Sequence, residues 1–361
     1  MFGVLNTGLC PIGIDVGTHS VRMLQFRRKG EALALQAACK VEMESGEGES
    51  GGRARLQGAI KRCLSLQPFI GRRAVMTLPP SAVASKSIRL PQMPDTDLQQ
   101  ALKWEVKDRF GFEMGEGQIV WFRAGEVRRG TEVKDELLLF AAKGQDLALH
   151  LDAAAGAGVT TAAIDLSACA GYRGAMRGGF QHPIGEAAAI LDIGEHSSEF
   201  IITRNEQLTF YKHVEIGGHH LDTAVSQKLG ISHIEAAQMR SRLATDGGGE
   251  SAAPLVQALQ DAIRPSLEEL ARELDMCMRY FVVTFRGSRP DLIALTGRQS
   301  SCPRILEALS NILGVPTEAA QPLRGVLDLQ DVARPDRSGE WAVAAGLSLY
   351  PVEAAQQGAA A

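Results

Sequence analysis

Several features that mark common protein classes are missing from this 361-residue sequence. No run of about 18 apolar residues occurs, so the sequence predicts no transmembrane helix. The net charge is −4 and no cluster of lysine and arginine stands out, which argues against a surface for nucleic acid. An aromatic content of 5 % argues against base-stacking surfaces as well. The N-terminus lacks a basic segment followed by a long hydrophobic stretch, so we expect no signal peptide.

Motifs for disulfides and for covalent catalysis are also missing. The six cysteines are scattered and form no Cys-x-x-Cys pair, which favours reduced, mostly buried thiols in a cytoplasmic protein. No Gly-x-Ser-x-Gly motif or Cys/His pairing indicates a covalent nucleophile. We therefore expect a cytoplasmic protein without direct membrane insertion, which reaches a membrane only through a partner.

One motif, by contrast, is present twice. A buried strand, a tight Asp-x-Gly turn, small polar residues and an alternating strand make up residues 12–24, and the same order recurs at 189–202. The spacing is constant at 177 residues for four equivalent pairs: Asp15 and Asp192, Gly17 and Gly194, His19 and His196, and Ser20 and Ser197.

A turn of this kind is suited to phosphate. It exposes several backbone N–H groups in a row, its glycine lets the backbone approach an anion, and serine or threonine adds hydroxyl donors. An aspartate at the end of the first strand can hold a hydrated Mg²⁺ beside those phosphates. Two such turns, half a chain apart, predict two facing half-domains; two unrelated hairpins are the alternative.

The hydrophobic periodicity predicts the remaining elements. Three strands are followed by a helix near Arg53–Leu66. An edge strand and a helix at 96–110 come next, in the segment that we predict to be an inserted subdomain. The continuous apolar run at 137–142 predicts a strand buried on both faces. Pro265 is expected to kink or divide the long helical stretch at 254–285.

These elements predict two lobes, each with a mixed five-stranded sheet covered by helices, around a cleft. The predicted divisions are a flexible lead (1–11), a first lobe (12–80 and 136–185), a small inserted subdomain packed on it (81–135), a second lobe (186–350) and a disordered tail (351–361).

Taken in order, the motifs resemble the actin-like ATPase superfamily and, within it, the PilM-like type IV pilus assembly proteins. The resemblance runs from Ile12 to Tyr350. Its main segments are Ile14–Arg22, Leu78–Val83, Leu102–Glu105, Gly158–Thr160 with Ala163–Asp165, Leu191–Gly194, Glu215–Gly218 and Trp341–Leu347.

The resemblance implies an α/β, actin-like ATPase fold with two RNase H-like lobes, a small inserted α+β subdomain, and ATP with Mg²⁺ in the cleft. It also implies a platform role. Such proteins bind the cytoplasmic N-terminal peptide of a PilN-like bitopic membrane protein in a groove by the inserted subdomain. An extended peptide against a strand edge is the expected mode. They also relay to the pilus assembly motor ATPase at the inner face of the inner membrane.

Carried over by position, the resemblance implies a set of site residues. Asp165 lies where superfamily enzymes position the attacking water, and Asp15 and Asp192 would hold Mg²⁺ through water. The residues expected to bind the nucleotide are Asp15, Gly17, Thr18, His19, Ser20, Arg22, Asp192, Gly194, Ser197, Ser198, Gly217, Gly218 and Gly297.

Three departures from the family pattern bear on nucleotide binding. The adenosine loop keeps one glycine, Gly297, and Arg298 and Gln299 add bulk after it. Glu195 places a carboxylate in the second phosphate loop, and Arg22 replaces the usual lysine. We therefore expect ATP binding rather than turnover, with weak ATPase activity at most, and a nucleotide-dead scaffold stays open.

Other functions and smaller signals complete the set of expectations. An FtsA-like division protein would need an amphipathic tail, which 354–361 does not provide, and a small-molecule kinase would need an acceptor pocket and a longer chain. His19 and His196 occupy equivalent turns and are predicted to face one another across the cleft, either as a paired phosphate contact or as exposed turn histidines. His219-His220 is predicted at a helix start, without further metal ligands. Trp104 is predicted either in a core or on the floor of a peptide groove.

Overall fold

The structure is a computed structural model that describes residues 8–43, 49–112, 117–129, 132–180, 186–246, 253–329 and 335–351. Its strands are β1 (Leu9–Val16), β2 (Ser20–Lys29), β3 (Ala32–Glu42), β4 (Arg73–Thr77), β5 (Ala84–Pro91), β6 (Gly117–Arg129), β7 (Glu132–Lys143), β8 (Thr160–Asp165), β9 (Ala187–Ile193), β10 (Ser198–Arg204), β11 (Gln207–Val214), β12 (Ile293–Thr296) and β13 (Thr317–Ala319). Its helices are α1 (Glu49–Leu66), α2 (Asp95–Phe110), α3 (Gly144–Gly156), α4 (Ser167–Arg177), α5 (Gly218–Leu229), α6 (His233–Asp246), α7 (Ala253–Phe285), α8 (Pro303–Leu313) and α9 (Ala342–Ser348).

Two five-stranded sheets of the same design form the two lobes. Their strand orders are β3-β2-β1-β4-β8 and β11-β10-β9-β12-β13. In each sheet the first strand of the repeated motif, β1 or β9, is central. It pairs antiparallel with the strand after the turn, β2 or β10, and parallel with β4 or β12. These central strands are apolar and buried because helices cover both faces of each sheet. The predicted mixed five-stranded sheets are confirmed.

The inserted subdomain is a three-stranded antiparallel sheet, ordered β5-β7-β6, with α2 on one face. Leu137 and Leu139 of its central strand pack under α2, whereas Leu138 and Phe140 join the hydrophobic core of the second lobe. The Phe140 ring lies edge-on to Tyr211 of β11, with centroids 4.8 Å apart.

This arrangement differs from the sequence prediction in two respects. The predicted boundary between residues 135 and 136 falls inside β7, so the whole strand belongs to the inserted sheet. The inserted sheet also packs on the core of the second lobe, in addition to the predicted contact with the first lobe, which α3 provides. The apolar run was correctly predicted to be buried on both faces, but burial alone does not reveal which sheet a strand joins.

Two helices, α4 and α9, cross between the lobes and pack with their backbones in close approach. A Cβ added at Gly346 of α9 would lie 1.8 Å from the Ala170 carbonyl oxygen of α4. One added at Gly174 of α4 would lie 2.1 Å from the Ala342 carbonyl oxygen. Only glycine fits at these contacts, which hold the two sheets in a fixed relation.

Two further predictions, on where β1 begins and on Pro265, are compared with the structure next. The predicted lead extends to residue 11, yet β1 begins at Leu9, and an irregularity in register between Leu9 and Ile12 accommodates Pro11. Of the two alternatives for Pro265, division of the helical stretch is wrong, because α7 runs as one helix from Ala253 to Phe285, whereas a kink stays a prediction. Residues 1–7 of the predicted lead and residues 352–361 of the predicted tail lie outside the described residues.

The expectations about the cysteines and about membrane-spanning helices can also be compared with the structure. All six cysteines are free, and four of them are buried. Among the described residues, no helix is both long enough and apolar enough to cross a bilayer.

Candidate functional site

The two Asp-x-Gly turns face one another across a cleft and have the same internal geometry. The N–H of Gly17 donates to the carbonyl of Ser20 at 2.9 Å, and the N–H of Gly194 donates to the carbonyl of Ser197 at 3.0 Å. The cavity between the turns measures about 790 Å³. The predicted residues that line it are Asp15, Gly17, Thr18, His19, Ser20, Arg22, Asp192, Gly194, Ser197, Gly218 and Gly297.

The floor of the cavity combines two carboxylates with one guanidinium. Burial raises the pKa of Asp15 and of Asp192, although Arg22 partly offsets the effect on both. An Arg22 nitrogen lies 3.3 Å from the Asp15 carboxylate, and the two side chains are 15 % and 14 % exposed. Asp192 accepts a hydrogen bond from the Thr296 hydroxyl at 2.6 Å. The Nε of Arg22 is buried and has no hydrogen-bond partner among the described residues, so the floor keeps one donor to offer an anion.

Glu199 adds a third carboxylate, which sequence analysis missed. It accepts hydrogen bonds from the Ser167 hydroxyl at 2.5 Å and the Tyr211 hydroxyl at 2.6 Å. Burial raises its pKa, and these two hydroxyls oppose the rise. Glu199 and Ser167 line both the cleft and a second cavity behind it, so they form a shared wall.

The second turn is supported by the start of α5. The N–H groups of Gly218 and His219 donate to the carbonyls of Gly194 and Glu195 at 2.9 and 2.7 Å. A Cβ at Gly217 would lie 2.6 Å from the Glu195 carbonyl oxygen. These glycines therefore hold the turn against the helix, and the two N–H groups are already used within the protein. Gly217, unlike Gly218, does not line the cavity.

Two predicted site residues lie away from the cleft. Ser198 is fully buried and its hydroxyl donates to the Ile216 carbonyl at 2.6 Å, because alternation along β10 turns it to the face opposite Glu199. Asp165 accepts hydrogen bonds from the Arg173 guanidinium and, at 2.8 Å, from the Leu166 N–H. It lines the second cavity and not the cleft, and its catalytic role stays a prediction.

The loop after β12 is tight, as its single glycine suggests. Gly297 has φ +79°, and a Cβ there would lie 2.7 Å from the Ile193 carbonyl oxygen. Gln299 is buried and accepts a hydrogen bond from Arg240 at 2.6 Å, while Arg298 is exposed and lines the cleft. A side cavity of only about 80 Å³ adjoins the cleft here. Gln299 and Arg298 both line the cleft and this side cavity, so the bulk predicted after Gly297 stands beside the cleft.

Histidines connect the two turns at the cleft mouth. The rings of His19 and His196 lie 5.1 Å apart, which confirms that they face one another, and His19 Nδ1 lies 3.7 Å from the Glu195 carboxylate. The His196 ring lies 5.0 Å from that of His219, which lies 4.3 Å from that of His233. The prediction that His219 and His220 lie at a helix start is confirmed, since α5 begins at Gly218; the contact with His233, at the start of α6, was not predicted.

The second cavity is a groove of about 940 Å³ between the first lobe and the inserted sheet. Strands β6 and β8 are edge strands of their sheets, and residues of both line this groove. Its lining is mainly apolar and includes the partly exposed side chains of Val120 and Leu151, which are 49 % and 40 % exposed. Trp104 is 78 % exposed on α2, so the prediction that it lies in a core is wrong, and it does not line this groove.

Comparison with known proteins places this geometry in a family. The family model for the type IV pilus assembly protein PilM matches residues 13–351. The chain belongs to this family. It is thus a PilM-like pilus assembly protein, as the sequence motifs predict.

Solved structures of low sequence identity share the fold. A PilM-PilN type IV pilus biogenesis complex matches with a TM-score of 0.76 at 23 % identity, covering 94 % of this chain and 97 % of that one. The ethanolamine utilization protein EutJ from Carboxydothermus hydrogenoformans matches at 0.58 with 13 % identity, covering 95 % and 89 %. MreB 5 of Spiroplasma citri bound to AMPPNP matches at 0.52 with 10 % identity, covering 97 % and 98 %. The predicted actin-like ATPase fold is therefore confirmed.

Proposed function

We propose that this chain is the cytoplasmic, actin-like adaptor of a type IV pilus or related secretion machine. In this proposal it binds the cytoplasmic N-terminal peptide of a PilN-like bitopic partner, which holds it at the inner face of the inner membrane. The same platform would contact the pilus assembly motor ATPase. Membership of the PilM family supports the proposal, as does the similarity to a protein solved in complex with PilN.

The observation that carries the proposal is the pair of sheet edges on one groove. Within the described residues, β6 pairs only with β7, and β8 pairs only with β4. Each strand therefore has backbone N–H and C=O groups free on its outer edge. An extended peptide gains affinity by pairing with such an edge, and pockets for alternate side chains supply specificity.

The groove also indicates what the peptide should look like. Its lining from β6, α3 and β8 is mainly apolar, which suits alternating aliphatic side chains. At one end the Arg173 guanidinium, bonded to Asp165, lies 5.3 Å from the centre of the Tyr350 ring. We therefore expect a peptide with apolar residues at alternate positions and a polar group near this ion pair.

A pair of matched substitutions tests the groove. Fluorescence anisotropy would measure binding of a labelled synthetic peptide with the N-terminal cytoplasmic sequence of the PilN-like partner. We expect Val120→Glu to weaken binding at least about tenfold, because the charge would enter the apolar lining. Val283→Glu, at an α7 position that is 79 % exposed and outside the groove, should bind like the unmodified chain. Equal affinities for both variants would exclude the groove as the peptide site.

We further propose that the cleft binds ATP with Mg²⁺, with the phosphates between the two turns. Asp15 and Asp192 would hold the hydrated metal, which would neutralise phosphate charge when bound. The matching turns and the unpaired Nε of Arg22 support this fit. The ion pair of Asp165 with Arg173 favours binding without rapid hydrolysis.

Exchange of two equivalent loop residues tests the nucleotide proposal. Thr18 and Glu195 are related by the 177-residue spacing, so they occupy the same place in the two turns. We expect Glu195→Thr to tighten ATP binding, because it removes a carboxylate from the phosphate site, and Thr18→Glu to weaken it. Calorimetry with ATP in Mg²⁺ buffer measures both. If no variant binds ATP, the cleft is that of a nucleotide-dead scaffold.

A further inference from the structure

Three side chains that can ligate a metal converge at the mouth of the cleft. His19 comes from the first turn, and Glu195 and His196 come from the second. One ligand atom from each lies within 4.8 Å of the other two. All three line the cleft cavity, and the side chains of His19 and Glu195 are each 50 % exposed. The cluster therefore spans the two lobes and is open to solvent.

The donor set selects the class of ion. Two imidazoles and one carboxylate, with an open fourth position, are typical ligands of Zn²⁺. Mg²⁺ prefers oxygen donors, so this cluster differs in chemistry from the Asp15 and Asp192 pair on the cleft floor. Tetrahedral Zn²⁺ places its ligand atoms about 3.4 Å apart, so these side chains need to converge by about 1 Å. Half-exposed side chains on turns can make that adjustment by rotation.

The Glu195 carboxylate favours a cation over an anion at the cluster of His19, Glu195 and His196. Two histidines alone would also suit a phosphate when protonated. A carboxylate whose oxygen lies 3.7 Å from His19 Nδ1 repels an anion and ligates a cation. The equivalent residue of the first turn is Thr18, which carries no charge, so the acidic group is a feature of the second turn alone.

We propose that His19, Glu195 and His196 bind one Zn²⁺ ion, which joins the two turns and holds the cleft closed. The His219 ring packs beside that of His196, with centroids 5.0 Å apart. Because ligands come from both lobes, the ion links parts of the chain that are 177 residues apart in sequence. The inference does not depend on the nucleotide or peptide proposals.

Zinc titration of the full chain tests the proposal. The protein is prepared without a polyhistidine tag, stripped with a chelator, and titrated with ZnCl₂ by calorimetry in the absence of nucleotide. We expect one ion per chain, with affinity reduced at least about tenfold by His196→Ala and by Glu195→Gln. His213→Ala, which removes a histidine of β11 from outside the cluster, should retain the affinity. Zn²⁺ should also raise the thermal midpoint of the unmodified chain but not that of Glu195→Gln.

Three results would overturn the proposal. The first is the absence of saturable heat with Zn²⁺. The second is a Zn²⁺ affinity that neither His196→Ala nor Glu195→Gln changes, since the ion would then bind elsewhere. The third comes from a parallel titration with inorganic phosphate: a signal that disappears in His196→Ala, with no Zn²⁺ signal, would assign the cluster to an anion. Circular dichroism of each variant separates loss of a ligand from loss of folding.

Discussion

Arg22 and Glu199 occupy the same position in the two halves of the repeated motif, each directly opposite the aspartate that precedes the turn. Arg22 pairs with Asp15 across β1 and β2, and Glu199 pairs with Asp192 across β9 and β10. Their charges are opposite. The first wall of the cleft therefore holds an ion pair, whereas the second wall holds two carboxylates. The two halves of the repeated motif match in backbone but differ in charge.

The first prediction concerns the cost of the Glu199 charge. Burial raises its pKa in the folded protein, so the ionised form destabilises the fold at neutral pH. A carboxylate with a raised pKa contributes stability below its unfolded pKa, and that contribution is lost as pH rises through the folded pKa. Glu199→Gln should therefore be more stable than the unmodified chain at pH 7.5, by on the order of 1 kcal/mol. The difference should shrink as pH falls toward about 4.

Denaturant unfolding at several pH values measures this difference. Tyr211→Phe is the control, because it should change the free energy of unfolding in the opposite direction. Removing the Tyr211 hydroxyl takes away a hydrogen bond to the carboxylate, so this variant should lose about 1.5 kcal/mol at pH 7.5. A Glu199→Gln variant that is less stable than the unmodified chain at pH 7.5 would contradict the argument.

The second prediction concerns the ion pair of the first wall. Burial works against the Arg22 charge, but Asp15, Glu340 and Asp192 together raise its pKa. Arg22→Met would leave the buried Asp15 carboxylate without its ion-pair partner, so we expect a loss of about 3 kcal/mol at pH 7.5. The loss should decrease at lower pH, where the carboxylates become protonated.

A double-mutant cycle with Asp15→Asn isolates the pair. The variant that carries both changes should recover part of the loss, with a coupling energy of about 1 kcal/mol or more from urea unfolding. Strict additivity of the two single changes would mean that Arg22 and Asp15 do not interact, despite their separation of 3.3 Å.

The repeated motif explains why the cleft could be predicted from sequence. Each copy is a local strand-turn-strand pattern, and two copies of one pattern imply equivalent positions in two similar sheets. The same equivalence would have drawn attention to Glu199, which stands 177 residues after Arg22. Alternation along β10 would likewise have shown that Ser198 and Glu199 face opposite sides.

Long-range pairings explain what could not be predicted. A strand buried on both faces has the same apolar pattern in either sheet, so the sequence of β7 did not reveal its partners β5 and β6. The ion pair between Asp165 and Arg173 depends on how α4 packs after β8, and no sequence motif predicts that packing. The approach of His233 to His219 depends in the same way on the packing of α6 against α5.

The third prediction separates exposed and buried positions of α2. Trp104 is 78 % exposed, so Trp104→Ala should change the free energy of unfolding by no more than about 0.5 kcal/mol and leave peptide affinity unchanged. Leu102 lies on the same helix and is 1 % exposed, so Leu102→Ala should cost about 2–5 kcal/mol. Denaturant unfolding compares the two. A large loss for Trp104→Ala would show that the ring packs on a surface within the protein.

The fourth prediction concerns the crossing of α4 and α9, where glycine is required by contact and not by φ. Gly346→Ala would place its Cβ 1.8 Å from the Ala170 carbonyl oxygen, and neither helix backbone can move without shifting a sheet. We expect a loss of about 3 kcal/mol in the free energy of unfolding. Gly58→Ala is the matched control, because Gly58 is also helical but has no atom within 4 Å of the added Cβ. That change should instead stabilise by about 0.5–1 kcal/mol, since alanine favours a helix over glycine. Equal effects of the two substitutions would mean that helix propensity, and not the close contact between α4 and α9, sets the cost at this crossing.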